Sequence, residues 1–245
     1  MIPFFMAWGM FFMIPCPYKK WDSSKYPQML NFLPAVGLMC GILHALAAFI
    51  LAKLSAGLIG GGILAVLPWI LTGFIHLDGY MDCADAVLSR REKEERLRIL
   101  KDSHVGSFAV IMMVVLGILQ FAACANFSLS GREYFALALI PVVSRSCTSA
   151  AVLNLKPLPT SSYAKMFRKG TPPLLKLIPL IVTAAAAVIA PILCGRKGLC
   201  VLFGIIGYLL TLLYIKSDLG GMSGDISGAS ITLSELVAFC ALALL

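Results

Sequence analysis

Seven stretches of this sequence are apolar over roughly the length of a membrane-spanning helix. A helix needs about 20 mostly apolar residues to cross the hydrocarbon core of a bilayer. The stretches cover residues 33–52, 58–76, 107–127, 134–153, 174–194, 199–215 and 228–245. Strands of a membrane barrel would instead alternate in polarity over about ten residues. The sequence therefore predicts an all-α, polytopic membrane bundle of about seven transmembrane helices, with the chain forming a single domain.

Composition excludes the common soluble alternatives. Hydrophobic residues make up 60% of the chain and charged residues 13%, whereas a typical soluble domain has about 25% charged residues. Disorder and an ordinary water-soluble enzyme are thereby excluded. The chain has 8 cysteines, mostly within apolar runs and without a CxxC pair, so we expect them to act as small hydrophobes instead of metal ligands.

The first 14 residues are apolar but shorter than a span. They have neither the basic start nor the small-residue cleavage site that a signal peptide would have. We therefore expect this segment to belong to the mature chain as an amphipathic or re-entrant segment.

Basic residues between the stretches predict the orientation of the bundle. One side carries Lys19, Lys20, Lys25, Arg90, Arg91, Lys93, Arg96, Arg98, Lys101, Lys156, Lys165, Arg168, Lys169 and Lys216. The other side carries only Lys53, Arg132, Arg196 and Lys197. The positive-inside rule makes the richer side cytoplasmic. Because the basic residues are scattered over several loops, we attribute the net charge of +8 to the orientation of the chain in the membrane and not to a nucleic-acid partner.

The densest polar segment covers residues 76–85 at the end of an apolar stretch. Asp78, Asp82 and Asp85 have the spacing i, i+4, i+7, which places them within an arc of about 60° on a helix. Like charges near a membrane are poorly solvated unless they share a cation, and Mg²⁺ prefers hard oxygen ligands together with substrate phosphate. Gly79 would leave room for a phosphate to approach.

This segment predicts a Mg²⁺-dependent transferase that acts on a diphosphate. A solvated helix face and a cation transporter are the alternatives. A transporter would place its acids near the middle of the membrane, on broken helices, whereas these acids lie at a boundary.

Two further polar turns fall on the same predicted side. Asp102 lies in the turn before the next apolar stretch, where it either completes the metal site or caps a helix. The glycine-rich turn at 219–225 could offer backbone N–H groups to a phosphate, and it ends on Asp225. A plain interhelical loop would have the same composition.

Other charged residues also suggest roles. Arg145 and Glu235 lie inside apolar stretches, where an isolated charge costs about 2.5–3.5 kcal/mol. Because their expected depths match, we predict an ion pair at the floor of a cytoplasmic cavity, with Arg145 also able to reach a phosphate oxygen. Separate roles for the two residues remain an alternative. The basic loop 156–169 is predicted to bind anionic substrate, or else to serve topology only.

Together these motifs resemble the adenosylcobinamide-GDP ribazoletransferase (cobalamin synthase) family. The resemblance covers FMIP at 12–15, FLPAVG at 32–37, GFIHLDGxxDxxD at 73–85, KDSxxG at 101–106, VSR at 143–145, LGGxxGD at 219–225 and SELV at 234–237. It implies a bacterial inner-membrane enzyme with a cytoplasmic active site. The enzyme would join adenosylcobinamide-GDP and α-ribazole, or its 5′-phosphate, to give adenosylcobalamin, or its 5′-phosphate, and GMP.

The resemblance also implies a cofactor, residue roles and partners. Mg²⁺ would be held by Asp78, Asp82, Asp85 and Asp102. Catalytic roles would fall to Asp82, Asp85 and Asp225, and substrate binding to His76, Gly79, Ser103, Arg145, Lys165, Arg168, Gly221 and Gly224. Membrane lipid is an expected partner, and a homo-oligomer or association with other cobalamin-assembly enzymes stays open. The alternatives are a CDP-alcohol phosphatidyltransferase, whose DGxxAR spacing is absent, and a corrinoid-binding scaffold or transporter.

Overall fold

A computed structural model describes residues 1–159, 161–168 and 171–245, without the side chains of Ala164 and Arg168. In these residues twelve α-helices follow one another, and the only strand-like pairing is a single bridge between Pro157 and Met222. The helices are α1 (Ile2–Phe11), α2 (Tyr26–Asn31), α3 (Leu33–Lys53), α4 (Gly57–Leu71), α5 (Ile75–Leu88), α6 (Lys93–Ile99), α7 (Ser107–Ala125), α8 (Tyr134–Asn154), α9 (Ser162–Arg168), α10 (Pro173–Cys194), α11 (Cys200–Leu219) and α12 (Gly224–Leu244). The predicted all-α class is confirmed.

Five helical stretches in the described part are long and apolar enough to cross a membrane, or six if α4 and α5 together form one bent span. The stretches are Leu33–Lys53, Ser107–Ala125, Gly131–Asn154, Pro173–Leu219 and Gly224–Leu244. The longest of them, 47 residues, contains α10 and α11 joined by the 3₁₀ turn Gly195–Leu199. The polytopic bundle is confirmed, whereas the predicted count of seven spans is not.

The predicted span 58–76 is broken in the structure. The axes of α4 and α5 differ by 92°. Gly73 and Phe74 between them both have left-handed backbone conformations, with φ of 59° and 63°. Such a conformation costs a residue other than glycine about 1–2 kcal/mol, so Phe74 is held there by the surrounding structure. The bend turns α5 away from the axis of α4, and α5 packs against α12 and α7.

The helices α3 and α8 are the most extensively packed pair in the described part. A Cβ added at Gly37 would lie 2.3 Å from the carbonyl oxygen of Pro141, and one at Gly41 would lie 2.2 Å from that of Ala138. The absence of side chains at this four-residue spacing lets the two backbones touch, as small residues commonly do between membrane helices. The pair is antiparallel, so the start of α3 lies beside the end of α8.

The first helix, α1, is too short to cross a membrane. Its 10 residues span about 15 Å, half the thickness of the hydrocarbon core. It packs against α2 and α3, burying Met6, Ala7 and Phe11. The N–H of Met13 then donates to the carbonyl of Leu71 at 2.8 Å, which ties the segment after α1 to the end of α4.

We predict that Gly41→Ala destabilises the protein, because the new methyl group would overlap the backbone of α8. Overpacking of this kind typically costs about 1–3 kcal/mol, which thermal melting in detergent would detect as a lower midpoint. Gly117→Ala on α7 is the matched control, because a Cβ there meets no heavy atom within 4 Å. Equal melting temperatures for the two variants would contradict the close contact of α3 with α8.

Candidate active site

The helices α5 and α12 cross in backbone contact. A Cβ added at Gly79 would lie 2.8 Å from the Cα of Asp225, and one at Gly228 would lie 2.8 Å from the carbonyl oxygen of His76. The space beside Gly79 is therefore filled by the backbone of α12. This corrects the prediction that Gly79 leaves room for a phosphate, since the missing side chain serves the helix crossing.

The crossing brings an acidic residue of α12 to the acidic face of α5. The carboxylates of Asp78, Asp225 and, more weakly, Asp85 repel that of Asp82, and the carboxylate of Asp78 also repels that of Asp225. Asp78 is exposed, while Asp82 and Asp225 are half-buried. Ser223, the N-cap residue of α12, donates a hydrogen bond from its hydroxyl to Asp225 at 3.3 Å. Three carboxylates from two helices thus form one group, which we call the carboxylate group.

Asp85 has a different position from the one predicted. Its buried carboxylate accepts hydrogen bonds from the backbone N–H groups of Gly106 at 2.6 Å and Ala109 at 2.9 Å. These N–H groups belong to the first turn of α7, where a helix lacks internal acceptors and favours negative charge. The geometry gives Asp85 a structural role at the start of α7, and it does not support the predicted metal-binding and catalytic roles.

The carboxylate of Asp102 also forms its hydrogen bonds within its own turn. Its exposed carboxylate accepts a hydrogen bond from the backbone N–H of His104 at 3.0 Å and contacts the Nδ1 of the same residue at 2.6 Å. These hydrogen bonds from His104 lower the pKa of the Asp102 carboxyl below its ordinary value. The structure places Asp102 in its own turn and not in the carboxylate group, contrary to the predicted metal set. Ser103 lies exposed in the same turn.

A cavity of about 360 Å³ opens beside the carboxylate group. Its walls come from the starts of α3, α5 and α12 and from the ends of α1 and α8. The segments around α9 and before α7 complete them. The lining residues are Met10, Phe11, Leu33, Ile75, His76, Asp78, Leu100, Lys101, Thr148, Leu158, Ser161, Ser162, Tyr163, Ser223, Gly224, Asp225, Ser227 and Ile231. Lys101 is the one lysine or arginine among these described lining residues.

Four predicted site residues line this cavity, namely His76, Asp78, Gly224 and Asp225. Sequence reasoning missed Lys101, although it begins the KDSxxG motif, and that position was a usable signal. It also missed Phe11 on α1, because nothing in the sequence distinguishes this residue from its neighbours in a uniformly apolar segment.

The glycine-rich turn before α12 is bonded to another part of the chain. The N–H of Leu158 donates to the carbonyl of Met222 and the N–H of Met222 donates to the carbonyl of Lys156, both at 2.9 Å. A Cβ at Gly221 would lie 2.7 Å from the nitrogen of Leu158. Gly221 therefore permits this pairing, and the predicted phosphate contact of its backbone is not supported, because it faces the segment before α9.

Arg145 and Glu235 form a buried ion pair, which confirms the predicted partnership. Their exposed fractions are 1% and 6%, and the hydroxyl of Ser144 also donates to Glu235 at 2.7 Å. Neither residue lines the cavity. The predicted contact of Arg145 with substrate phosphate is not supported, since its guanidinium bonds to Glu235 and to the carbonyl of Pro141.

The basic loop after α8 gives less information about substrate. Lys165 is exposed, and its Nζ donates to the carbonyl of Pro159. The side chain of Arg168 and the whole of Lys169 lie outside the described residues. Anion binding by this loop stays a prediction.

The carboxylate group suits Mg²⁺ in chemistry but is not a complete metal cage. Among the described residues, no three His, Cys, Asp or Glu side chains are arranged to hold a metal ion by themselves. Mg²⁺ is usually bound by one or two carboxylates, with water and substrate phosphates in its other positions. Asp78, Asp82 and Asp225 supply such hard oxygen donors beside a cavity, so the residues present fit the ion once a phosphate substrate is bound.

Comparison with known proteins gives full-length matches. The family model described as Cobalamin-5-phosphate synthase matches residues 3–243. An adenosylcobinamide-GDP ribazoletransferase of Clostridium perfringens (strain SM101 / Type A) is 38% identical over 233 residues, which cover 94% of this chain and 92% of the relative. A protein of that name from Brevibacillus brevis (strain 47) is 32% identical over 243 residues, covering 96% and 94%. No solved structure matches the chain.

Two substitutions on α5 separate structural from functional carboxylates. We predict that Asp85→Ala lowers the melting temperature in detergent, because hydrogen bonds to a charged acceptor contribute about 1.5–3 kcal/mol each. Asp82→Ala should leave it unchanged or raise it, because the change relieves repulsion from Asp78 and Asp225. A larger destabilisation by Asp82→Ala than by Asp85→Ala would contradict these assignments.

Proposed function

The chain belongs to the Cobalamin-5-phosphate synthase family, and we propose that it joins adenosylcobinamide-GDP to α-ribazole, or its 5′-phosphate, in the cavity beside the carboxylate group. The products are adenosylcobalamin, or its 5′-phosphate, and GMP. The cavity that Asp78 and Asp225 line, with Asp82 beside them on α5, carries this proposal. The names of the relatives support neither a phosphatidyltransferase nor a transporter.

The reaction exchanges one bond to phosphorus for another. A ribose hydroxyl oxygen of α-ribazole bonds to the phosphorus that carries the cobinamide, and the bond from this phosphorus to the oxygen of GMP breaks. Such a transfer depends mainly on positioning and on neutralising charge. Asp225 accepts the hydroxyl proton on a carboxylate oxygen, because it lines the cavity and the Ser223 hydroxyl orients it. Lys101 neutralises the phosphate of the departing GMP.

Asp78, Asp82 and one carboxylate oxygen of Asp225 would hold Mg²⁺ at the diphosphate, and the other oxygen of Asp225 would accept the hydroxyl proton. When bound, Mg²⁺ neutralises the negative charge of the phosphoanhydride. Without a cation, the anionic substrate would meet three carboxylates that already repel one another. The acidic face of α5 therefore supports a requirement for a divalent metal.

The protein is a multi-pass membrane protein, and we place its active site on the cytoplasmic side of a bacterial inner membrane. The cavity lies where α3, α7 and α12 begin and where α8 ends. The basic residues assigned to the cytoplasmic side flank these same helix ends, while Lys53 and Lys197 lie at the other end. Large apolar side chains exposed along α7, α10 and α11 would contact lipid. A homo-oligomer and association with other cobalamin-assembly enzymes stay predictions.

We expect release of GMP from adenosylcobinamide-GDP, with α-ribazole present, to stop on treatment with EDTA and to resume with Mg²⁺. Asp82→Ala should lower turnover about 100-fold or more at limiting Mg²⁺, because a proposed ligand of the cation that neutralises the diphosphate is lost. Asp22→Asn, which changes a partly exposed carboxylate far from the cavity lining and keeps an oxygen to cap the turn before α2, is the matched control and should behave as the wild type. Wild-type turnover of Asp82→Ala at limiting Mg²⁺, or turnover that survives EDTA, would refute the metal assignment.

A further inference from the structure

We infer that the apolar inner part of the cavity, formed by Phe11, Leu33, Leu158 and Ile231, binds the aromatic base of α-ribazole. We call these four residues the floor. The inference rests on the proposed function, because it assigns one of the two substrates to one part of the same cavity.

The cavity is polar at one end and apolar at the other. Its mouth contains Asp78, Lys101, Ser162, Ser223 and Asp225. Along α12, Ser223, Ser227 and Ile231 are spaced four residues apart, so they lie on one helix face. Ile231 lies six residues beyond Asp225, or about 9 Å along the helix axis. A nucleoside whose ribose lies near the carboxylate group would therefore point its base toward Ile231.

Two hydroxyl groups that line the cavity already donate to backbone carbonyls of their own helices. The hydroxyl of Thr148 donates to the carbonyl of Ser144 at 3.0 Å, and that of Ser227 donates to the carbonyl of Ser223 at 2.8 Å. Guanine carries several donors and acceptors, and each one buried here without a partner would cost about 1–3 kcal/mol. The dimethylbenzimidazole base of α-ribazole has a single free ring nitrogen. The floor therefore favours this base over the guanine of the other substrate.

His76 supplies a match for that one nitrogen. The residue is 9% exposed and lines the cavity, and its Nε2, which is itself covered by protein atoms, has no hydrogen-bond partner among the described residues. Buried polar atoms are rarely left without partners, so an unpaired one beside a cavity points to a ligand. The ring of His76 lies nearly parallel to that of Phe11, at 20° with centroids 6.3 Å apart. We assign the Nε2–H of His76 as the donor to the base nitrogen, which requires the imidazole ring to turn toward the cavity when the base enters.

Size also favours α-ribazole. Pockets that enclose drug-sized ligands measure about 300–1,000 Å³, so a cavity of about 360 Å³ suits one nucleoside. The corrin ring with its amide side chains is much larger and would stay outside. This assignment gives the short helix α1 a role, because it supplies Phe11 as one wall of the base site.

The test is the affinity for each substrate in Phe11→Ala, with Phe121→Ala as the matched control. Phe121 is an exposed residue of α7 that does not line the cavity. We expect Phe11→Ala to raise the KM for α-ribazole about tenfold or more, because a buried aromatic contact is lost, and to leave the KM for adenosylcobinamide-GDP unchanged. Inhibition by GMP should be unchanged as well. Weaker GMP inhibition with an unchanged KM for α-ribazole would overturn the inference.

A second floor variant is used in case Phe11→Ala misfolds, and a binding measurement tests the role of His76. If Phe11→Ala does not fold, the smaller change Ile231→Ala should raise the same KM. Calorimetric titration of wild-type and His76→Phe protein with α-ribazole alone should show about tenfold weaker binding by the variant. An indole riboside, which lacks the free nitrogen, should bind equally to both proteins. Equal affinity of both proteins for α-ribazole would overturn the role of His76.

These outcomes separate the inference from the proposed function. If the wild type binds α-ribazole at the floor but releases no GMP, the proposed function fails and the base site stands. If GMP is released while neither floor variant changes the KM for α-ribazole, the base site fails and the function stands.

Discussion

Backbone contact between α5 and α12 is the constraint on which the site depends. Gly79 and Gly228 carry no side chain, so the two helices approach until the backbone of Asp225 touches α5. This contact places one carboxylate of α12 beside Asp78 and Asp82, whose mutual repulsion opposes the arrangement. Any side chain at either glycine would separate the helices and disperse the carboxylate group. Close packing thus assembles charges that electrostatics alone would drive apart.

Two other acidic residues hold the surrounding helices. Asp85 fixes the start of α7 through two backbone N–H groups, and Glu235 ties α12 to α8 through Arg145. Removing one partner of a buried ion pair leaves an uncompensated charge, which costs about 3–5 kcal/mol in soluble proteins. The acids of this chain therefore have distinct tasks. Those facing the cavity are suited to chemistry, while Asp85 and Glu235 position the helices that form it.

Features that depend on local pattern or on matching depth could be predicted from the sequence. The helical class follows from long apolar stretches, the proximity of Asp78 and Asp82 from their spacing, and the Arg145–Glu235 pair from opposite charges at similar depth. Features that depend on the path of the chain could not. Asp85 shares the helical face of Asp78 by spacing, but it lies two turns further along α5, where that helix meets the first turn of α7. The contribution of Phe11 likewise depends on where a short apolar helix packs.

The most direct test of whether the helix crossing assembles the site is the binding of Mn²⁺ in place of Mg²⁺. This binding is measured by electron paramagnetic resonance with adenosylcobinamide-GDP present. The informative variant is Gly228→Val, which removes no ligand and only separates α5 from α12. The account predicts that wild type and Gly117→Val bind Mn²⁺ alike, and that Gly228→Val and Asp225→Asn lose most of their affinity. Wild-type affinity in both Gly228→Val and Asp225→Asn would contradict the account.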